Sequence, residues 1–210
     1  MDARTAIREC GRNLVEQGLT WGHSGNISAR IDAGDFLVTA GGTSLGTLQD
    51  EDIIRCGIED ESFSGDRYPS METGLHREIY RACSSARAVI HSQPLYSTVA
   101  ACSSLIIRTD FLPEAMAYLD NIQRIPYHHA GSRELAEAAA ALAANSRALL
   151  LSNHGVVCWG DSLEEALIIT QTLEFCCQLL IVSQGSGIDF NYLGEDTTAD
   201  FRQHLGRIGR

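Results

Sequence analysis

Helical and extended hydrophobic patterns alternate along the chain, without internal repeats, low-complexity tracts or a linker. Apolar residues at helical spacing predict helices, and short apolar runs bounded by turn residues predict strands. The predicted helices span residues 3–18, 71–82, 94–103, 113–120, 132–144 and 162–183. The predicted strands span residues 26–31, 36–40, 88–91, 148–151 and 156–159, with a hairpin turn at 153–155.

The segments between these elements are polar or rich in glycine. Residues 40–48 form a glycine-rich loop, residues 56–68 a polar hairpin-like stretch, and the tail 184–210 has a regular pattern only over 199–205. A chain of 210 residues has the length of a single α/β domain, here with a mixed sheet. We expect the tail to pack on a neighbouring subunit rather than to form core.

Composition narrows the chemistry that the chain can perform. All 16 basic side chains are arginine, so neither a lysine Schiff base nor a P-loop lysine is available. With 27 acidic residues the formal net charge is -11, which makes the chain a poor binder of nucleic acid or anionic membranes.

The seven cysteines are scattered and form no C-x-x-C pair, so neither a disulfide framework nor a thiolate zinc site is indicated. The N-terminus is charged and amphipathic rather than a signal peptide, and we expect no apolar run long enough to span a membrane. A reducing cytoplasm is the expected compartment.

Two polar clusters lie at the beginning of predicted elements. Residues 23–30 read His-Ser-Gly-Asn-Ile-Ser-Ala-Arg, where glycine and asparagine before a strand allow a tight turn with outward-facing N–H groups. Ser70, Met71 and Glu72 begin a helix, where the helix dipole favours a carboxylate. Taken alone, an ordinary turn and an ordinary first-turn glutamate are the better explanations of these two clusters.

Two further clusters lie at the ends of the most apolar strands. His91 and Gln93 are two residues apart, so in an extended chain both side chains point to one face. Asn153, His154 and Gly155 follow the second strand. Two histidines at two strand ends suit a metal site at the edge of a sheet, although such histidines are more often hydrogen-bonded surface residues.

Five motifs in order resemble the class II aldolase/adducin family, which includes fuculose-phosphate aldolase and ribulose-phosphate 4-epimerase. They are Gly25-Asn26-Ile27-Ser28-Ala29-Arg30, Ser70-x-Glu72-x-x-x-His76, His91 with Tyr96, Pro126-Tyr127 followed by Gly131-Ser132-Arg133-Glu134-Leu135, and Asn153-His154-Gly155. The resemblance covers about residues 3–183. It implies a three-layer α/β/α fold around a mainly antiparallel mixed sheet, and a homotetramer with active sites between subunits. It also implies a zinc-type divalent ion held by three histidines, with Glu72 as general acid/base.

The metal ligands carry over unevenly. Two of the family's three histidines fall on His91 and His154, but the third falls on Gln93. An amide oxygen is a poorer zinc ligand than imidazole. Zinc remains the first expectation, and the alternatives are a weaker site, a different metal such as manganese or iron, or no metal at all.

The oxyanion-binding residues that the resemblance implies are Gly25, Asn26, Gly41, Gly42, Ser70 and Met71. Met71 replaces a family serine and Gly41-Gly42 replace part of a hydroxyl-bearing loop, and each lost charge-assisted bond costs about 1.5–3 kcal/mol. Thr43 and Ser44 are candidate substitutes.

The family's tyrosine proton donor falls on Leu112 in an ungapped alignment. Tyr96 and Tyr127 are candidate substitutes for it, although packing aromatics is the commoner role for such residues.

The sequence therefore predicts a metal-dependent lyase that cleaves a carbon–carbon bond of a small hydroxylated carbonyl compound or sugar phosphate by a retro-aldol reaction through a metal-stabilised enediolate. Decarboxylation of a hydroxylated acid at the same metal site is the nearest alternative. A non-catalytic, adducin-like binding module is the second, and dehydration, epimerisation and iron-dependent oxygenation are further family-type reactions.

Overall fold

One eight-stranded sheet runs through the computed structural model, which describes residues 2–119 and 121–207. Its strands are β1 Asn26–Arg30, β2 Asp35–Thr39, β3 Ile53–Gly57, β4 Phe63–Ser64, β5 Ala88–Ser92, β6 Gln123–Ile125, β7 Ala148–Leu151 and β8 Gly155–Gly160. The helices are α1 Ala3–Glu16, α2 Thr73–Ala82, α3 Leu95–Ala101, α4 Pro113–Tyr118, α5 Arg133–Ala143, α6 Leu163–Ser186 and α7 Glu195–Arg207. Residue 1, residue 120 at the end of one predicted helix, and residues 208–210 of the tail lie outside the described part.

The strand order is β4-β3-β2-β1-β5-β8-β7-β6, and every neighbouring pair is antiparallel except β6 with β7. The side chains of the strands alternate between the two faces of the sheet. Val89 and Val157 face a core shared with α2 and α5, whereas Ile90 and Cys158 face the opposite side, where α1, α3, α4 and α6 pack. The predicted three-layer α/β/α fold with a mainly antiparallel mixed sheet is confirmed.

Helix boundaries follow the capping residues. The Ser132 hydroxyl accepts the Leu135 N–H and begins α5, as the sequence predicts. The helix predicted from Met71 begins at Thr73 instead. Ser70 first forms a turn, since its carbonyl accepts the Thr73 N–H and its hydroxyl accepts the Glu72 N–H. Glu72 therefore lies at the N-cap of α2 rather than inside its first turn.

Two elements, β6 and α7, were not predicted, and the hairpin-like stretch predicted over residues 56–68 is an antiparallel pair, β3 with β4, that begins earlier at Ile53. In β3 the buried Ile53 and Ile54 are adjacent, so the strand lacks a simple alternation, and β4 has two exposed residues. The polar strand β6 pairs with β7 while the Arg124 guanidinium donates to carbonyls of α3 and the following turn. Helix α7 begins at Glu195, before the pattern over 199–205. It buries no described residue, so its first turn carries no hydrophobic signal in the sequence.

The tail packs against its own chain in this structure. Phe190 stacks on Phe111 with ring centroids 4.7 Å apart, and the Leu193 N–H donates to the Asp110 carbonyl. Helix α7 lies against α4, where Arg202 Nε donates to the Met116 carbonyl. Packing of the tail on a neighbouring subunit stays a prediction.

Helix α6 contradicts the expectation that no apolar run is long enough to span a membrane. Within the described residues it is the one helix that is long and apolar enough to cross a membrane by length and composition, with 44% of its most apolar window buried. Its buried residues, among them Ile169, Leu173 and Cys177, pack into the core beneath the sheet. A core helix satisfies the same criterion as a membrane span.

Gly155 connects β7 to β8 with a φ of +153°, and a Cβ there would meet the Ser92 carbonyl oxygen at 2.6 Å. Gly187 ends α6 with a φ of +68° and has nothing within 4 Å of that position. We expect G187A to lower the free energy of unfolding by about 1 kcal/mol, the conformational cost alone. G155A should cost at least about twice that, because the β5–β8 contact must also open. Chemical denaturation of both variants measures the difference, and equal losses would show that the close approach is unimportant.

Candidate active site

Four chain segments meet at one end of the central strands. Asn26 begins β1 and pairs with His91 near the end of β5, and His91 also pairs with Val157 of β8. His154 lies in the turn from β7 to β8, and Glu72 immediately precedes α2 on the face to which His91 points. Residues that are distant in sequence are thus brought together by the register of the sheet.

The His91 imidazole is buried and held in one orientation. Its Nδ1 lies 2.9 Å from the Val156 carbonyl oxygen, which can only accept, so Nδ1 carries the proton and Nε2 keeps its lone pair. Burial, followed by the neighbouring His154, lowers the pKa of His91 to about 3. Burial also lowers the pKa of His154. Both rings, 4.7 Å apart between centroids, are therefore neutral, the state in which imidazole binds a metal.

Gln93 lies against the ring of His91. Its Nε2 is 3.2 Å from His91 Nε2, so the amide donates to the imidazole lone pair. Its Oε1 is buried and has no hydrogen-bond partner among the described residues. Within the same residues, no group of three or more histidine, cysteine or acidic side chains is placed to hold a metal. A third protein ligand beside the two histidines would thus come from the unpartnered amide oxygen.

Glu72 is the titratable carboxylate next to the histidine pair. Its Oε1 accepts the Gly131 N–H at 2.8 Å and lies 3.8 Å from His154 Nε2, while Oε2 is buried without a partner among the described residues. Burial raises the pKa of Glu72 to about 6, and the Gly131 N–H opposes part of that rise. A carboxyl group with such a pKa exchanges protons readily near neutral pH.

Three of the predicted oxyanion residues lie beside these groups. Asn26 is buried, with Oδ1 2.6 Å from His76 Nε2. The Ser70 hydroxyl accepts the backbone N–H of Glu72. Gly25 has a φ of +81°, and a Cβ there would meet the His91 carbonyl oxygen at 2.9 Å, so glycine is required for the approach of β1 to β5.

The other predicted oxyanion residues offer less. The Gly41 N–H already donates to the Tyr68 carbonyl, and Gly42 is exposed with a φ of +73°. Met71 is 73% exposed. The Thr43 hydroxyl donates to the Ala40 carbonyl, which removes its proton from use as an oxyanion donor.

None of the residues considered as proton donors brings a hydroxyl to Glu72. Leu112 and Tyr96 pack against the core that contains α3, α4 and α6, and the Tyr127 hydroxyl lies 3.3 Å from His129 Nδ1.

Sequence reasoning gave no role to several groups that orient the site. The Val156 carbonyl and the Gly131 N–H belong to the backbone, which sequence patterns do not reveal. The Glu174 carboxylate accepts N–H groups from Tyr96 and Ser97 and so fixes the chain just after Gln93. His76 had a detectable signal, because it follows Glu72 by four residues and therefore lies one helical turn away on the same face.

Comparison with known proteins identifies the family. Residues 5–181 match the model of the Class II Aldolase and Adducin N-terminal domain. The chain is 32% identical over 197 residues to the 3-oxo-tetronate 4-phosphate decarboxylase of Escherichia coli (strain K12), covering 91% of this chain and 92% of that protein. It is also 32% identical over 183 residues to the L-fuculose phosphate aldolase of Methanocaldococcus jannaschii, covering 87% and 97%.

A solved L-fuculose 1-phosphate aldolase superimposes on the structure with a TM-score of 0.89 at 26% identity, covering 98% of this chain and 96% of that one. The match to the family model spans most of the chain, and the relatives named above are enzymes. The chain therefore belongs to the class II aldolase and adducin family, as one of its enzymes.

Proposed function

We propose that this enzyme is a metal-dependent lyase acting on a small phosphorylated hydroxycarbonyl compound, and that it breaks the bond between the carbon α to the carbonyl group and the next carbon. The observation that supports this most strongly is the placement of Glu72 Oε1 3.8 Å from His154 Nε2, beside two neutral histidines whose rings are 4.7 Å apart. A proton-transfer group thus lies next to a pair of metal-type ligands.

The residues present fit a divalent ion, which enzymes of this family generally use. His91 and His154 would hold it, and Gln93 would contribute its amide oxygen. The support is that Gln93 Oε1 is buried without a partner among the described residues, and that the Val156 carbonyl holds the proton on His91 Nδ1, so that rotation of the Gln93 amide away from His91 Nε2 would free its lone pair. Zinc is the first candidate, with manganese or iron favoured by the oxygen ligand. When bound, such an ion polarises a substrate oxygen and stabilises the negative charge left by bond cleavage.

Glu72 would move the proton at the reacting carbon. Its Oε2 has no partner among the described residues, while the Gly131 N–H fixes Oε1. In a decarboxylation the substrate carboxylate leaves as carbon dioxide, its bonding electrons pass to the adjacent carbonyl, and protonated Glu72 donates to the resulting carbanion. In a retro-aldol cleavage, ionised Glu72 would instead accept the proton of the hydroxyl group whose carbon leaves as an aldehyde or ketone.

Decarboxylation of a phosphorylated 3-oxo acid is the reaction that we favour. It requires a single proton donor, and Glu72 is sufficient, whereas Leu112 packs into the apolar core and supplies no second proton-transfer group. The E. coli relative that is a 3-oxo-tetronate 4-phosphate decarboxylase supports this choice. Retro-aldol cleavage is the second candidate, because an L-fuculose phosphate aldolase matches the chain at the same identity.

We also propose that the protein is a cytoplasmic homotetramer with active sites between subunits. The support is the exposure of apolar side chains beside Glu72 and on α6, with Met71 at 73% and Val182 at 54%. Light scattering should give four times the 22.8 kDa chain mass.

The direct test of the reaction is incubation of the metal-reconstituted protein with 3-oxo-tetronate 4-phosphate and, separately, with fuculose 1-phosphate, followed by detection of carbon dioxide and of aldehyde. We expect release of carbon dioxide from the first compound. Aldehyde from the second alone would establish retro-aldol cleavage, and inactivity towards both compounds would contradict the proposal.

The pH dependence of kcat distinguishes the two roles of Glu72. If Glu72 acts as the acid in decarboxylation, kcat falls as pH rises through the pKa of this raised carboxyl group, because the proton to be donated is lost. If it acts as the base in retro-aldol cleavage, kcat falls as pH drops through the same pKa. We expect the first slope, and E72Q should lower kcat about 10²–10⁴-fold and abolish that limb of the profile. An unchanged profile in E72Q would exclude Glu72 as the proton carrier.

Gln93 should determine how tightly zinc is held. We expect Q93H to bind zinc at least about tenfold more tightly than the wild-type protein, since imidazole replaces an amide oxygen. H154A should lose stoichiometric metal, and H204A, which changes an exposed histidine on α7, should retain it. Competition with a chromophoric chelator measures the affinities. Equal zinc affinity in the wild-type protein, Q93H and H154A would place the metal elsewhere.

A further inference from the structure

A chain of buried hydrogen bonds leads from α2 through β1 to Asn26. The Tyr80 hydroxyl lies 2.7 Å from Ser28 Oγ, and Ser28 Oγ lies 2.6 Å from His76 Nδ1. His76 Nε2 in turn lies 2.6 Å from Asn26 Oδ1. Tyr80, Ser28 and His76 are each at most 1% exposed, so water does not compete for these bonds.

The direction of donation along this chain is determined at its Asn26 end. There Asn26 Oδ1 can only accept, so His76 Nε2 carries the proton and His76 Nδ1 accepts from Ser28. Ser28 has a single hydroxyl proton, which it donates to His76, so the Tyr80 hydroxyl donates to Ser28 Oγ. Burial lowers the pKa of His76 to about 3, which keeps the ring neutral.

The orientation of the Asn26 amide follows from this direction. With Oδ1 bound to His76, Nδ2 points away from the buried chain. Asn26 is 5% exposed, and its Nδ2 makes no hydrogen bond to a described residue. This nitrogen is not fully buried, so it reaches solvent. Asn26 pairs with His91 in the sheet, which places this N–H group at the candidate site. A donor held rigidly in a low-dielectric setting stabilises an oxyanion strongly.

We propose that His76, Ser28 and Tyr80 are positioning residues that hold the Asn26 amide nitrogen towards the substrate as a fixed oxyanion donor. The oxyanion is a phosphate or a carboxylate, two groups with the same acceptor chemistry. The inference rests on the proposed function in that this oxyanion belongs to the lyase substrate. His76 acts through Asn26 and does not itself transfer a proton, because Ser28 and Asn26 occupy both of its ring nitrogens.

Two substitutions of His76 separate positioning from general stability. In H76Q the side-chain amide reaches the place of Nε2 and still donates to Asn26. In H76N the shorter amide reaches the place of Nδ1, keeps the contact with Ser28 and loses the bond to Asn26. Thermal unfolding checks that both variants fold. If H76N does not fold, Y80F, which removes one oxygen atom, takes its place with a smaller expected loss.

The readout is the NMR cross peaks of the Asn26 side-chain amide, assigned by their disappearance in N26D, during separate titrations with inorganic phosphate and with acetate. We expect at least one anion to shift these peaks in the wild-type protein and in H76Q with similar affinity. Binding should weaken about 10- to 100-fold in H76N. In an N26A background, where the anion affinity is measured by calorimetry, H76N should cause no further loss.

Three results would overturn the proposal. They are Asn26 peaks that respond to neither anion, wild-type affinity in H76N or its substitute Y80F, and an equal loss from H76N with and without Asn26. Because the titrations require no turnover, they are independent of the proposed reaction. A protein inactive towards both substrates but with the expected anion response would contradict the reaction and retain the positioning role.

Discussion

The hydrogen bond from His91 Nδ1 to the Val156 carbonyl is the interaction on which the candidate site depends. It crosses from β5 to β8 at the place where β5 ends and β8 begins, directly after the β7–β8 turn. It satisfies a buried imidazole with a backbone group and keeps the proton off Nε2, which accepts from the Gln93 amide. The His154 ring lies beside the His91 ring and Glu72 lies beside His154, so the register of two antiparallel strands determines which atoms can bind a ligand.

The absence of lysine gives this arrangement its chemical importance. Cleavage of a carbon–carbon bond leaves an electron pair that must be stabilised, and without lysine the chain cannot do this through an iminium ion. Neutral histidines and an unpartnered amide oxygen are the groups it offers instead, beside a carboxyl group whose pKa is raised to about 6 by burial. Desolvation therefore acts on both parts of the site: it keeps the histidines unprotonated and makes Glu72 a proton carrier near neutral pH.

The sequence predicted the fold class because most strands of the sheet have clear apolar runs, as in Ala148–Leu151. It did not predict β6 or α7, whose residues are polar or unburied, since a hydrophobic pattern forms only where residues enter a core. For the site, the positions of His91 and His154 at two strand ends suited a metal site, and the family resemblance added Gln93 and Glu72 to it. The groups that orient them were not predictable in the same way. They are the Val156 carbonyl and the Gly131 N–H, and nearly every peptide unit has such groups. Only the folded register determines which of them lie at the site.

The most direct test of the central claim is X-ray anomalous scattering from a crystal of the metal-reconstituted protein, collected at the absorption edge of the added metal. The account predicts one strong peak per chain within bonding distance of His91 Nε2 and His154 Nε2, with Gln93 Oε1 turned towards it. A peak at any other position, or no peak after reconstitution with zinc, manganese and iron(II) in turn, would contradict it.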